Sequence, residues 1–165
     1  MYDVGFRKLN GFTLIELLVV IAIIAVLVAF AVANFVGARS RARDLKKKSE
    51  FQEMKNALRL YYNDYQTYPE TGSATNTFNG CGALTPPTDS CSDAFSNSTS
   101  VYMKLLPPTT EYVWHYQQMP LNYDFCMWTS LENKSDAEIA KSQTRCSICS
   151  GVGYTAETDY VICAD

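Results

Sequence analysis

Histidine is almost missing from this chain. Its 165 residues hold one, His115. No Ser-His-Asp set, Gly-rich phosphate loop or basic-aromatic stripe accompanies it, so there is little from which to build an enzyme. A general excess of positive charge is also missing. The formal net charge is −3, which gives nucleic acid no overall basic footprint to meet. Cysteine is absent from the first eighty residues, and all six cysteines lie between Cys81 and Cys163. An even count downstream of a membrane signal points to disulfides in an oxidising compartment. Proline is absent before Pro69. With no turn cluster in residues 12–68 either, nothing in that stretch interrupts a helix.

An unbroken apolar run is what the first third does have. It covers residues 17–33 and, with the apolar residues at its ends, approaches the ~20 a spanning helix needs. A cleaved secretory signal would be shorter and would end in a small-residue site on its far side. Here no A-x-A pattern follows, and the plausible cleavage position, Gly11, precedes the run. Arg7 and Lys8 lie just before it and favour a cytoplasmic N-terminus. A second basic block, residues 39–48, opposes that orientation. The N-in orientation is preferred because it puts the cysteines and the polar half outside the cytoplasm. The block itself reads as a solvated helix face.

Phe51, Met54, Leu58, Tyr61 and Tyr65 recur three and four apart, the period of a helix that buries one side. Pro69 is expected to end it. From residue 70 to 87 the composition becomes Gly, Ser, Thr, Asn and Pro, which is loop chemistry. Strand-like runs follow at 111–117, 123–129 and 159–164. A short helix is expected between the second and third. The fold class is therefore α+β: one long N-terminal helix, with a membrane half and an amphipathic half, packed on a small disulfide-stabilised antiparallel sheet.

Glu16 stands near the start of the apolar run. An acid at a helix N-terminus is favoured by the dipole, which is one reading. The other begins with Gly11-Phe12 just ahead of it. Cleavage between them leaves a cationic amine on Phe12, and the Glu16 carboxylate can meet the amine of a neighbouring copy. A lone carboxylate in hydrocarbon is costly, so pairing would make Glu16 a register pin for apolar helices packed side by side.

The stretch from Gly11 to Ala22, GFTLIELLVVIA, resembles the processing signature of type IV pilins and the related pseudopilins. The likeness continues into LRLYYNDYQTYP, which is similar to the helix end of major pseudopilins of type II secretion, and covers roughly residues 7–69. Ala25 and Ala33 stand where that family usually has glycine and proline, leaving Gly37 as the nearby weak point. The resemblance implies a cytoplasmic leader (1–11) removed by a membrane prepilin peptidase, and N-methylation of Phe12. It implies a filament-core helix half (12–36), an amphipathic half (37–68) and an extracytoplasmic head (69–165). The partners implied are further copies in a helical filament, the assembly machinery of the cytoplasmic (inner) membrane, and lipid before assembly; no specific nucleic acid is expected. The location implied is that membrane, single-pass, then a periplasmic or cell-surface filament.

The cysteines have two readings. Cys146-Ser147-Ile148-Cys149 is a C-x-x-C, but no thioredoxin-like pattern surrounds it and no second pair completes a zinc site. Structural disulfides are favoured. Six cysteines allow 15 pairings; those expected are Cys81 with Cys91, closing the loop around Pro86-Pro87, and Cys126 with Cys163, joining two strands. No cofactor is expected. Asp124, Glu132, Asp136 and Glu138 are candidate calcium ligands, as calcium occurs in some pseudopilins, though no EF-hand spacing supports them. Asn97-Ser98-Thr99 and Asn133-Lys134-Ser135 match the glycosylation sequon. Tyr102, Tyr112 and Tyr154 are expected to pack rather than to bind.

The function expected is that of a structural filament subunit, not an enzyme. The alternative is a permanently membrane-anchored binding or thiol-redox domain working through Cys146 and Cys149.

Overall fold

The computed structural model describes residues 11–108 and 110–164. The leader expected at 1–11, with Arg7 and Lys8, falls outside them except for Gly11. Among the described residues two helices and eight strands follow in chain order. They are α1 (Leu14–Tyr65), β1 (Glu70–Thr71), β2 (Phe78–Cys81), β3 (Asp89–Cys91), β4 (Phe95–Ser96), β5 (Val101–Met103), β6 (Trp114–Gln118), β7 (Phe125–Ser130), α2 (Ala137–Arg145) and β8 (Asp159–Cys163). Single 3-10 turns sit at Pro120–Asn122 and Ser147–Cys149. Internal contacts divide the chain into two units, Met1–Arg39 and Ser40–Asp165.

In the first unit the described part of α1 is apolar on every side and exposed on every side. The exposure of its large apolar residues runs from 46% at Val20 to 82% at Leu14. No single helix among the described residues is long and apolar enough by itself to cross a membrane. The stretches Leu14–Phe30 and Phe35–Tyr65 meet that test together, by length and composition.

In the second unit, residues 40–65 of α1 carry the expected stripe. Phe51, Met54, Ala57, Leu58 and Tyr61 are each at most 3% exposed. Gln66 ends the helix in the left-handed region at φ 55°, its N–H returning to the Tyr62 carbonyl at 2.8 Å. This left-handed cap comes three residues before Pro69 and releases the chain from the helical path.

The principal sheet is antiparallel, in the order β6-β7-β8. Its register pairs Trp114 with Thr129 and Cys126 with Cys163. One face, bearing Trp114, Tyr116, Phe125, Met127, Tyr160 and Ile162, joins the α1 stripe in the main core. The other face carries Cys126, Trp128, Val161 and Cys163 in a second, smaller core with Cys146 and Cys149. Because both faces are covered, all but the last residue of β7 are buried. The interior is aromatic: Phe78 meets Phe95 edge to face at 4.8 Å, and Tyr61 lies 5.4 Å from Phe95. Such pairs add to the area they bury.

The strand runs expected at 111–117, 123–129 and 159–164 become β6, β7 and β8, with ends shifted by at most three residues. The short helix between the second and third is α2. Its N-cap is Asp136, whose Oδ1 accepts the Glu138 N–H at 2.9 Å. Strands β1–β5 arise within and after the stretch read as loop. They form a three-stranded sheet, β1-β2-β3, and a two-stranded one, β4-β5.

Candidate assembly site

Gly11, Phe12 and Thr13 precede the first helical residue and are exposed. The bond between Gly11 and Phe12 therefore lies in non-helical chain, and Phe12 itself is 81% exposed. Thr13 then caps α1. The Thr13 backbone N–H donates to Glu16 Oε2 at 2.8 Å, and the Thr13 hydroxyl donates to the same oxygen at 2.7 Å. In return the Glu16 N–H reaches Thr13 Oγ1 at 3.3 Å. This is a reciprocal capping box, in which a Thr and a Glu three residues on satisfy each other's orphan donors. In the single chain Glu16 thus bonds to Thr13, one residue beyond the Phe12 nitrogen.

Beyond the cap, Leu18, Ala22 and Val26 form one ridge and Val19, Ile23 and Leu27 the next, with a shallow groove between them. Ridges spaced four apart are the surface that a second helix interlocks with.

Within the second unit Arg41, Arg43 and Lys46 of the basic block are exposed, as a solvated face requires, but four of the block's cations are also bonded to the head. Arg43 forks onto Glu132, with contacts of 2.7 and 2.5 Å. Lys46 bonds Glu111 and lies 3.6 Å from Glu50. Lys47 Nζ donates to the Ser130 carbonyl at 2.8 Å, and Lys48 Nζ to Asp136 Oδ2 at 2.6 Å. These cations fasten the helix to the head's acidic rim. The Arg43 hydrogen bond holds the Glu132 carboxyl below its ordinary range. At Asp136 partial burial pushes the carboxyl up, but the Lys48 and Glu138 N–H bonds and the Lys48 charge outweigh it and bring it down.

Asp44, inside the block, is a functional residue that the sequence reading does not name. It is 1% exposed. Its two carboxylate oxygens accept the backbone N–H groups of Glu132 at 2.9 Å and Asn133 at 2.8 Å. It pins the chain that leaves β7. The signal available was one acid amid basic residues on the side of the helix that continues the apolar stripe.

All six cysteines are bonded. Cys81 is joined to Cys91, but the expected Cys126–Cys163 bond is not formed. Cys126 is bonded to Cys149 and Cys146 to Cys163. Cys126 and Cys163 do face each other across β7 and β8, yet the turn after α2 lays Cys146 and Cys149 against both, and the bonds cross from that turn to the sheet. The C-x-x-C is not bonded to itself, and no free thiol stands among the described residues.

The other candidates are engaged separately. Asp124 Oδ1 accepts the N–H groups of Phe125 and Ala164, and Glu138 pairs with Lys141 and Arg145. With Glu132 and Asp136 held as above, the four carboxylates are not gathered. Among the described residues no three metal-ligating side chains share a site. His115 stacks on Trp128 at 5.0 Å. Asn97 donates to the hydroxyls of Tyr65 and Tyr102, and its Oδ1 accepts Thr99 and Ser100 N–H, so its sequon is an Asx turn. Tyr102 donates to Asp64 and Tyr112 to Glu50, while Tyr154 packs on the second core.

Residues 6–32 match the family described as the prokaryotic N-terminal methylation motif. This chain carries the prepilin motif. Its relatives bear the same reading. It is 38% identical over 65 residues to type II secretion system core protein G of Vibrio cholerae serotype O1, covering 39% of this chain and 44% of the relative. It is 33% identical over 101 residues to core protein G of Aeromonas hydrophila, covering 61% and 66%. To the type IV wide pilus major component PilA4 of Thermus thermophilus it is 40% identical over 68 residues, covering 41% and 52%. The chain thus spans about half to two thirds of the length of these relatives. No solved structure matches it.

Proposed function

We propose that this chain is the precursor of a structural filament subunit, of a type IV pilus or of a type II secretion-like pseudopilus. The reading rests above all on one observation. A prepilin motif leads directly into a capped helix whose apolar side chains from Leu14 to Phe30 are exposed all round. Such a surface needs lipid or other helices around it, and a filament core offers the second after the membrane has offered the first.

In this scheme the precursor sits in the cytoplasmic membrane with its N-terminus inside. A prepilin peptidase cuts between Gly11 and Phe12, and Phe12 is N-methylated. The Phe12 amine of one subunit then meets Glu16 of the next, and the ridges of residues 18–27 pack against their neighbours as the assembly machinery draws subunits out. The N-in orientation is supported by the basic block, since Arg43, Lys46, Lys47 and Lys48 are bound to the head and travel with it. The relatives named for secretion and for pili leave both kinds of filament in the proposal.

The mass of the N-terminal peptide of protein from its native cells tests this. A peptide that begins at Phe12 and is heavier by one methyl group is expected. A peptide that begins at Met1 would mean the leader stays and no charged terminus forms beside Glu16; a permanently anchored domain would then replace the filament subunit.

A further inference from the structure

Four of the six cysteines occupy one buried cluster behind the β6-β7-β8 sheet, and each is 0–3% exposed. Cys126 and Cys163 are register partners on β7 and β8. Such partners lie about 4.5–5.5 Å apart at Cα, inside the span a disulfide bridges. Cys146 and Cys149 belong to one turn, with the Cys149 N–H donating to the Cys146 carbonyl at 2.9 Å. Every cysteine of the set therefore has two partners within reach of one fold. The bonds present, Cys126–Cys149 and Cys146–Cys163, span 23 and 17 positions. The competing Cys146–Cys149 bond closes a far smaller loop, and small loops cost less entropy to close. Its companion, Cys126–Cys163, needs only the β7-β8 pairing. The crossed set ties α2 and its turn to the sheet; the uncrossed set joins β7 to β8 and closes the turn on itself.

We propose that this cluster is a thiol–disulfide exchange site, and that a thiol–disulfide isomerase is a partner in the maturation of the head. Oxidation gives the uncrossed bonds first, Cys146–Cys149 by its short loop and Cys126–Cys163 by the β7-β8 register. The isomerase thiolate attacks Cys163 Sγ, breaks the Cys126–Cys163 bond and releases the Cys126 thiolate. That thiolate attacks Cys149 Sγ, forming Cys126–Cys149 and releasing the Cys146 thiolate. Cys146 then attacks Cys163 Sγ in the mixed disulfide, forming Cys146–Cys163 and expelling the isomerase thiolate. Two disulfides enter and two leave, with no net oxidation. Burial then closes the cluster to further attack.

The test is oxidation of the reduced full chain in detergent micelles by oxygen, with and without a disulfide isomerase, quenched by alkylation at intervals and mapped by peptide mass spectrometry. Cys146–Cys149 and Cys126–Cys163 should accumulate first and convert to the crossed bonds several-fold faster with the isomerase. Direct formation of the crossed bonds, at one rate with and without isomerase, overturns the proposal. A variant carrying both Cys146→Ser and Cys149→Ser isolates the register pair. Its Cys126 and Cys163 should become bonded to each other under oxidant. Two persistent free thiols in a variant whose circular dichroism matches the parent also overturn it, and where that variant fails to fold the mapping of the parent chain decides.

Discussion

Thr13 and Glu16 close on each other: the Thr13 N–H reaches Glu16 Oε2 at 2.8 Å, and the Glu16 N–H reaches Thr13 Oγ1 at 3.3 Å. The cap involves neither the leader nor the Phe12 nitrogen, since Thr13 keeps its peptide N–H after cleavage at Gly11. One carboxylate thus serves two roles, capping its own helix and, in the filament, meeting a neighbour's amine. Substitutions separate them. Glu16→Gln keeps a hydrogen-bond acceptor for the cap and loses the charge, whereas Thr13→Ala keeps the charge and loses the hydroxyl. If charge pairing drives assembly, Glu16→Gln should yield inserted, processed protein and no sheared filaments, and Thr13→Ala filaments in reduced amount. Normal filament yield from Glu16→Gln would leave capping as the residue's role.

Asp44 supports the head in a way that one substitution exposes. Its buried carboxylate takes two backbone N–H groups from Glu132 and Asn133, and Lys47 stands 3.9 Å away. Removing the acceptor leaves two donors without a partner in a part-buried place. Hydrogen bonds to a charged group contribute about 1.5–3 kcal/mol, so Asp44→Ala should lower the unfolding free energy of the head by about 2–3 kcal/mol. Asp44→Asn, with one oxygen left to accept, should lose about half of that. Urea denaturation followed by tryptophan fluorescence measures both. A change within about 0.5 kcal/mol for Asp44→Ala would place the clamp elsewhere.

How much of this was legible follows from what each residue's environment depends on. The α1 stripe was readable because Phe51, Met54, Leu58 and Tyr61 obey a local period, and all are buried. Strands β6, β7 and β8 were readable from β-branched and aromatic runs. Strands β1–β5 were not, because two to four residues carry no period and their pairing is decided by the core beneath them. The Thr13-x-x-Glu16 capping box is legible in the letters, since a Thr and a Glu three residues on are its signature. The head contacts of the basic block and of Asp44 were not legible for one reason. Their partners Glu111, Glu132 and Asp136 lie at least sixty-five positions away, and no local pattern announces such a pairing. Of the cysteine pairs, Cys81–Cys91 was legible because both flank one loop; Cys126–Cys163 fails because register places the two opposite each other while the turn after α2 brings in two competitors.

Acid should loosen the end of the head that Lys48 and Arg43 hold. The Asp136 and Glu132 carboxyls both lie below their ordinary range in the folded chain. A depressed folded value contributes stability that is fully present above the unfolded value, about 4. It is lost as pH falls through the lower folded value. The melting temperature of the head should therefore fall below about pH 4. Asp136→Asn isolates one contribution, because Asn still caps α2 while the Lys48 pair is gone. That variant should be less stable near neutrality, by no more than about 1 kcal/mol, and flatter across the acid window. An acid slope unchanged by Asp136→Asn would assign the loss to other carboxylates.

Alkali acts through the aromatic core with the opposite sign. Burial, with the nearby Tyr65 and Glu70, pushes the Tyr61 phenol up to about 12. Burial also raises Tyr112, Tyr116 and Tyr68. An unfolded tyrosine ionises near 10, so above that pH the unfolded chain sheds protons that the folded chain keeps. Stability is fully present below about pH 10 and is lost as pH rises toward the folded values. Ultraviolet phenolate absorbance should show a fraction of the eleven tyrosines ionising late, together with the loss of circular dichroism. Tyr61→Phe keeps the ring against Phe95 and removes the titrating group, so stability should decline less steeply between pH 10 and about 12 than in the parent. All eleven phenols titrating together near their ordinary value, with the fold intact, would mean that the core admits water to Tyr61 and that burial does not hold it neutral.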